Sequence, residues 1–388
     1  MFEVIENKKQ KALIKVMGVG GCGGNAVDYM IEKNVTGVDF LCVNTDLQAL
    51  QKSQANNIVQ IGEILTQGLG AGSRPDTGKQ AAMDDKEMIA NAIQGADMLF
   101  ITAGMGGGTG TGATPVIAQI AKEMGILTVA VVTKPFDFEG KRTRVAKEGI
   151  QELIKHVDSL ITIPNEKLMG VLGEDVTFVE AFGAANNVLY SAVAGIAEII
   201  NSPGMINVDF ADVKTVMSEM GMAMIGSGFS EGSDRAIIAA KAAVACPLLE
   251  DVNLNNAKGI LVNISASRDF KMKEYFEVME IIKQYAAEEA NIIVGNVIDD
   301  SMANGIRVTM VATGLNNNSS AQQEVSDDVM TSFVYEDESS ATTADEADDK
   351  KENDVLNVFT DNSENNLDRM RSEAEDEYDI PSFLRNNK

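Results

Sequence analysis

Fourteen of the chain's 34 glycines fall in three short windows: Gly18, Gly20, Gly21, Gly23 and Gly24; Gly68, Gly70 and Gly72; and Gly104, Gly106, Gly107, Gly108, Gly110 and Gly112. Glycine lets a backbone turn tightly and come close to an anion, and the N–H groups that open the following helix carry the positive end of its dipole. Any one window also fits a plain strand-to-helix turn, whereas three along one edge would hold several phosphates. Gly18-x-Gly20-x-x-Gly23 matches the dinucleotide fingerprint, and Asp39 follows at about the expected 20 residues. Asp39, however, opens the second predicted strand, whereas a ribose-binding acid should close it. Neither is a P-loop present, because Gly72 to Gly78 leaves one residue too many before Lys79, and Gln80 stands where Ser or Thr is needed. Phosphate binding therefore falls to backbone amides rather than to a lysine.

Other chemistry is sparse. With His156 as the single histidine, most His-centred catalysis is excluded, and Cys22, Cys42 and Cys246 show neither metal-ligand spacing nor a disulfide framework, which fits a reducing compartment. Asp209 and Asp212 look, taken alone, like a helix N-cap followed by an acidic third residue. Asn165 after Pro164 could cap a helix, and Phe182 suits a helix core.

The glycine windows need elements to hold them. Ala12 to Val19, Val38 to Asn44, Asn57 to Ile61, Asp97 to Thr102, Ile126 to Thr133 and Ser159 to Ile163 read as short apolar strands. Between most of them lie helical stretches such as Asn25 to Lys33 and Asp76 to Ala92. That alternation predicts an α/β fold with a parallel sheet covered on both faces, and the windows at the carboxyl ends of strands, where such sheets bind ligands. Thr177 to Asn201 is apolar or small nearly all round, which predicts a long buried helix between two domains. A second group follows, with helices at Ser233 to Ala245 and Met272 to Ala287 and strands at Gly259 to Ser265, near Asn291 to Val297, and at Ile306 to Ala312.

The charge is strongly acidic, at -26 from 32 basic and 58 acidic side chains, which argues against nonspecific nucleic-acid binding. Ala321 to Glu377 carries 19 acids against four basic residues. With few large apolar side chains it cannot offset the entropy of ordering, and Leu315 to Glu377 is expected to be a disordered acidic linker spanning roughly 45 Å. Apolar residues return at Tyr378 to Arg385, where Ile380, Phe383 and Leu384 would share one helix face. No secretory signal or membrane-spanning run is readable, and a cytoplasmic protein is expected.

Gly106-Gly-Gly-Thr-Gly-Thr-Gly112 resembles the signature of the tubulin superfamily, and its flanks, Ala103-Gly-Met105 and Ala113-Thr-Pro115, are similar to those of the bacterial cell-division GTPases of the FtsZ family. The resemblance extends through Gly18 to Asn25, Asn44-Thr-Asp46, Gly68 to Gly72, Thr133-Lys-Pro-Phe136, Phe138-Glu-Gly140, Thr162-Ile-Pro-Asn165, Phe182 to Asn187, Asn207 to Asp212 and the terminal Asp379-Ile-Pro381. It implies a tubulin-like α/β architecture: an N-terminal extension (1–12), a GTP-binding domain (13–175), a central helix (176–202), a loop and helix (203–220), a smaller α+β domain (221–314), the acidic linker (315–377) and a partner-binding peptide (378–388).

The same resemblance implies that Gly20, Gly21, Cys22, Gly23, Gly24 and Asn25 cradle GTP, with Asn44 beside them. Gly104, Gly106, Gly107, Gly108, Thr109 and Gly110 would hold phosphates, Ala71 and Gly72 would lie by the γ-phosphate, and Thr133 would line the site. Glu139 and an arginine, Arg142 in preference to Arg144, would contact the ribose. Asn165 and Asn186 would read guanine, and Phe182 would pack near the base. Magnesium is expected with the nucleotide. Asn207, Asp209 and Asp212 would complete the catalytic site of the next subunit in a head-to-tail homopolymer, and Asp379, Ile380, Pro381, Phe383 and Leu384 would dock membrane-tethering division proteins at mid-cell. Cys22 and Arg74 depart from the family pattern, in which Gly and a small amide are common; Asn186 replaces a frequent Asp. Competing functions are a nicotinamide-dependent oxidoreductase and a non-hydrolysing nucleotide-binding assembly module.

Overall fold

The computed structural model describes residues 12–172, 176–201, 208–219, 221–245 and 257–315. Six strands, β1 (Ile14–Val19), β2 (Val38–Asn44), β3 (Asn57–Gln60), β4 (Met98–Gly104), β5 (Leu127–Lys134) and β6 (Ser159–Pro164), pair in parallel in the order β3-β2-β1-β4-β5-β6. Neighbouring residues of one strand face opposite cores, and both are buried. Val16 and Phe100 join one cluster, while Met17, Leu99 and Ile101 join the other. This is why the strands read as continuous apolar runs rather than as alternating ones.

The helices before the long central one are α1 (Gly20–Glu32), α2 (Leu47–Lys52), α3 (Glu63–Thr66), α4 (Pro75–Asp84), α5 (Lys86–Ile93), α6 (Thr109–Glu123), α7 (Lys141–Leu153) and α8 (Asn165–Leu172). The expected helix over Asp76 to Ala92 is in fact two, broken at Asp85, whose carboxylate leaves the helix pattern to accept a hydrogen bond from Gly62 N at 2.6 Å. The expected start of α1 at Asn25 also moves: Gly20, at φ +73°, turns the chain straight from β1 into the helix, so the glycines form its first turn.

Helix α9 (Phe178–Asn201) packs on α1 and β5 and also on the later strands β8 (Ala257–Ala266) and β9 (Ala286–Ile298). Its Leu189, Val193 and Ile196 are fully buried. At about 1.5 Å per residue its 24 residues span roughly 36 Å. It begins near the carboxyl edge of the parallel strands and ends at the opposite edge, where Asn201 Nδ2 donates to the carbonyl of Gly37, just before β2. Helix α10 (Phe210–Met217) follows.

Strand β7 (Gly221–Glu231), which the sequence pattern does not announce, pairs in parallel with β6 through Ser159, Leu160 and Ile161 and carries the sheet onward. Strand β10 (Gly305–Leu315) runs antiparallel between β7 and β8, giving ten continuous strands. Helices α11 (Arg235–Val244) and α12 (Met272–Lys283) close a third core with Val262, Ile264 and Val308. Helix α12 stops at Lys283 rather than Ala287, because Ala286 joins β9 opposite Ala257. Leu315, expected to open the linker, is the buried last residue of β10. The remainder of the expected linker and the terminal peptide lie outside the described residues.

Candidate nucleotide-binding site

The sheet reverses its winding between β1 and β4, and the loops leaving those strands diverge there. Each loop runs into a helix whose first turn carries no side-chain cap and no acid: α1 after Val19 and α6 after Gly108. Their free N–H groups face one cleft of about 250 Å³, a positively polarised setting for an anion. Of the residues singled out from sequence, Gly20, Gly21, Cys22, Gly104, Gly107, Gly108, Thr109, Gly110, Thr133, Glu139, Arg142, Asn165 and Phe182 line it. Val19, Met105 and Pro135 also line it; Met105 and Pro135 fall within stretches that carry the family resemblance, though sequence alone assigns none of the three a role.

The glycines divide by what a Cβ would meet. At Gly104 it would lie 2.6 Å from Cys22 Cβ, at Gly110 2.7 Å from the Gly104 carbonyl, and at Gly106 2.8 Å from the Arg142 carbonyl, so Gly104 makes room for the Cys22 side chain and the other two let backbones touch. Gly23 is likewise pressed against the carbonyl of Thr102. At Gly21 and Gly107 a Cβ would meet nothing within 4 Å. Both line the cleft, which makes them the places where backbone amides can approach a ligand unobstructed.

Hydroxyls brace this cradle. Thr109 Oγ1 lies 2.7 Å from Thr45 Oγ1, Gly106 N donates to Thr111 Oγ1 at 2.8 Å, and Thr114 Oγ1 donates to the Gly110 carbonyl at 2.6 Å. The loop after β3 closes over Gly108: a Cβ there would be 2.9 Å from Ala71 Cβ and from Arg74 N. Ala71 thus braces the loop that opens α6, and neither it nor Gly72 lines the cleft.

Beyond β5 the walls become amide and aromatic. Phe136 N donates to Glu139 Oε1 at 3.0 Å, and Arg142 Nη1 donates to Glu139 Oε2 at 2.7 Å, so the pair stands as one unit at the wall. Arg144 turns outward to Glu148. The ring of Phe182 meets Phe136 edge-on, 5.6 Å between centroids. Asn165 opens α8 but does not cap it. It is buried, and its Oδ1 finds no hydrogen-bond partner among the described residues, a cost a protein sustains when a ligand supplies the donor. The Cys22 sulfur lies 3.7 Å from Thr133 Oγ1. Its surface reaches solvent, yet enclosure by the walls, with Glu139 adding to it, pushes the thiol pKa up and keeps it neutral.

Several expected residues lie elsewhere. Gly24, Asn25 and Asn44 line a neighbouring cavity of about 280 Å³ that shares Gly20 and Gly21 with the cleft. There Asn44 Oδ1 accepts from the backbone N–H of Thr45 and Asp46, holding that turn. Asn186 is half-buried on α9 and not in the cleft wall. The next residue, Asn187, reaches toward α1, accepting from Tyr29 Oη at 3.4 Å. Asp209 and Asp212 are exposed at the start of α10. The Asp209 side chain makes no cap bond, and no hydrogen bond or ion pair holds either carboxylate among the described residues. Asn207 lies outside the described residues. Asp39 pairs with Lys15 near the amino end of β2, remote from the glycine turn, which removes the ribose partner that the dinucleotide reading requires.

Residues 13–173 match the GTPase domain of the Tubulin/FtsZ family, and residues 221–316 the C-terminal domain of the FtsZ family. The cell division protein FtsZ of Pseudomonas aeruginosa is 60% identical over 316 residues, covering 81% of this chain and 80% of that protein. The FtsZ of Coxiella burnetii is 57% identical over 318 residues, 82% of each. Among solved structures, an empty FtsZ dimer from M. jannaschii superposes with a TM-score of 0.76 at 43% identity, covering 80% of this chain and 90% of that one. A GTPγS-bound CetZ2 protofilament from Haloferax volcanii, 19% identical with a TM-score of 0.67 over 82% of this chain and 100% of that one, shares the fold. The cleft between two uncapped helices and this breadth of likeness lead to one conclusion: the chain belongs to the Tubulin/FtsZ family and is a GTP-hydrolysing cytoskeletal protein of cell division.

Proposed function

We propose that GTP lies along the carboxyl edge of the sheet, with guanine toward β6 and its phosphates over the starts of α6 and α1. The unpartnered Asn165 Oδ1 supports this direction, since guanine offers ring N–H and amino donors on the edge an amide acceptor would meet. Phe182, edge-on to Phe136, would flank the base, and the Glu139–Arg142 pair would face the ribose. Gly21, Gly107 and the first-turn amides of α1 and α6 would take the phosphates. Magnesium would enter with the triphosphate, held largely by phosphate oxygens and water.

Hydrolysis then needs a water-orienting carboxylate at the phosphates, and the one acid lining the cleft, Glu139, is held by Arg142 on the ribose side. The observation carrying the proposal is that Asp209 and Asp212 are exposed and unpaired at the start of α10, the helix that follows α9, and that α9 runs roughly 29 Å from Phe182 at the cleft to its end at Asn201. A carboxylate there cannot serve its own nucleotide, but it can orient and polarise water over that of a second copy. Repetition of that contact gives a heterologous, open head-to-tail filament. The terminal peptide from Asp379 to Leu384 would tether such filaments to membrane-bound division proteins at mid-cell, with the acidic linker as spacer. No described helix is long and apolar enough to cross a membrane.

The test is complementation. Asp212→Asn chains should bind GTP and fail to hydrolyse it, and a cradle variant that cannot bind GTP should be equally inactive. Mixed filaments of the two should recover phosphate release. Absence of recovery in demonstrably mixed filaments would confine Asp212 to its own subunit.

A further inference from the structure

Among the residues lining the cleft only Glu139 and Arg142 are charged, and at 2.7 Å they neutralise each other. A nucleoside triphosphate brings several negative charges into that neutral cleft, in a chain whose net charge is already -26. Helix dipoles act only over the first turn, and in the direction proposed above the phosphate farthest from the base would lie past the α6 start, toward the loop that closes over Gly108.

That loop carries Arg74. Its backbone N lies 2.9 Å and its carbonyl oxygen 3.2 Å from where a Cβ on Gly108 would stand. The side chain is exposed, and no ion pair or side-chain hydrogen bond engages it among the described residues; Arg307 on β10, remote from the glycine loops, is the other such arginine, while Arg142, Arg144, Arg235 and Arg268 are each paired. Arg74 is also the N-cap residue of α4, makes no cap bond there, and puts a positive charge at the positive end of that helix. It therefore does nothing for α4 that would account for its presence.

We propose that Arg74 is a phosphate-contacting residue, its guanidinium folding over Gly108 to bind the terminal phosphate of GTP and to stabilise the charge that develops there during hydrolysis. This rests on the nucleotide direction proposed above. An arginine is suited to the task because its planar fork can engage two phosphate oxygens at once.

The experiment compares the unmodified full-length chain with Arg74→Ala and Arg74→Gln, at concentrations too low for assembly, titrating each with GDP and with a non-hydrolysable GTP analogue. Loss of a charge-assisted contact should weaken the triphosphate analogue by about tenfold, while GDP affinity stays within about twofold and doubles as the check that the variants fold. Equal weakening of both nucleotides, or no weakening of either, would overturn the proposal, as would an unchanged affinity ratio with lost assembly, which would make Arg74 a contact between subunits. Failure of the unmodified chain to prefer guanine over adenine nucleotides would strike at the direction of the bound base instead.

Discussion

The two halves of the ten-stranded sheet use glycine for opposite ends. In the mixed half from β7 onward, Gly228 lies against the Ala239 carbonyl, a Cβ at Gly259 would lie 2.6 Å from Thr313 Oγ1, and one at Gly305 would lie 2.6 Å from the Phe229 ring. Each clears room for the protein's own atoms. Its two buried charges among the described residues, Arg235 and Glu274, are paired through Arg235 Nε and Nη2, and Arg235 is further engaged by Asp269 and by the Asn304 carbonyl. In the parallel half the glycine loops end at uncapped helices, Gly21 and Gly107 face open space, and Asn165 keeps a buried acceptor unpaired. The mixed half also holds a buried unpaired acceptor, Asn263 Oδ1, but that side chain is enclosed between β8 and α9, where its Nδ2 meets Gly195 and Glu198, whereas Asn165 lines the cleft. Unsatisfied polarity that faces a cleft, more than glycine content, distinguishes a binding edge from a packed one.

That contrast can be broken most severely at Arg235. Arg235→Met leaves the Glu274 carboxylate buried without its partner and should lower unfolding free energy by about 3–5 kcal/mol, read in denaturant, while GTP affinity below the transition stays the same. A smaller loss is expected at a packing glycine of the parallel half. Gly112→Ala drives a methyl into the Pro75 carbonyl between α6 and α4 and should cost about 1–3 kcal/mol of stability. Gly107→Ala sharpens the comparison, since it should leave stability within about 0.5 kcal/mol yet weaken GTP by at least about tenfold in equilibrium titration. A Gly107→Ala chain that unfolds early but binds normally would erase the distinction between packing and facing glycines.

The mildest effect concerns acid. Hydrogen bonding to Arg235 holds the Glu274 carboxyl below its ordinary pKa. A depressed carboxylate contributes stability that is complete above its unfolded value, about pH 4.3, and is lost as pH falls through the folded value. Glu274→Gln should therefore lose less of its melting temperature than the unmodified chain between about pH 5 and pH 3, although it starts lower.

Much of this was legible beforehand where chemistry demands particular residues. The parallel strands could be read because burial on both faces leaves them apolar throughout, and the cleft because anion binding without lysine requires glycine. Strand β7 was not legible: its Gly226, Ser227 and Gly228 lower strand propensity, and it exists because β6 and β10 offer ladders on both sides. Nor was the break at Asp85, which depends on an amide 23 residues earlier in the chain. The division of glycines into packing and facing positions depends on distances across the fold, to which a spacing pattern is blind. Asn165 was visible as an amide, but only its surroundings show that it is not a cap.

The length of α9 carries an arithmetic consequence. If the acid and the nucleotide it serves always belong to different copies, a row of n subunits contains n-1 complete sites. A solitary chain has none, a pair has one, and a long row approaches one per subunit. Turnover per molecule then reports row length, and the subunit whose cleft has no neighbour keeps its triphosphate. Each row would therefore carry a chemically distinct end, preserved not by a cap or a second protein but by where one helix stops.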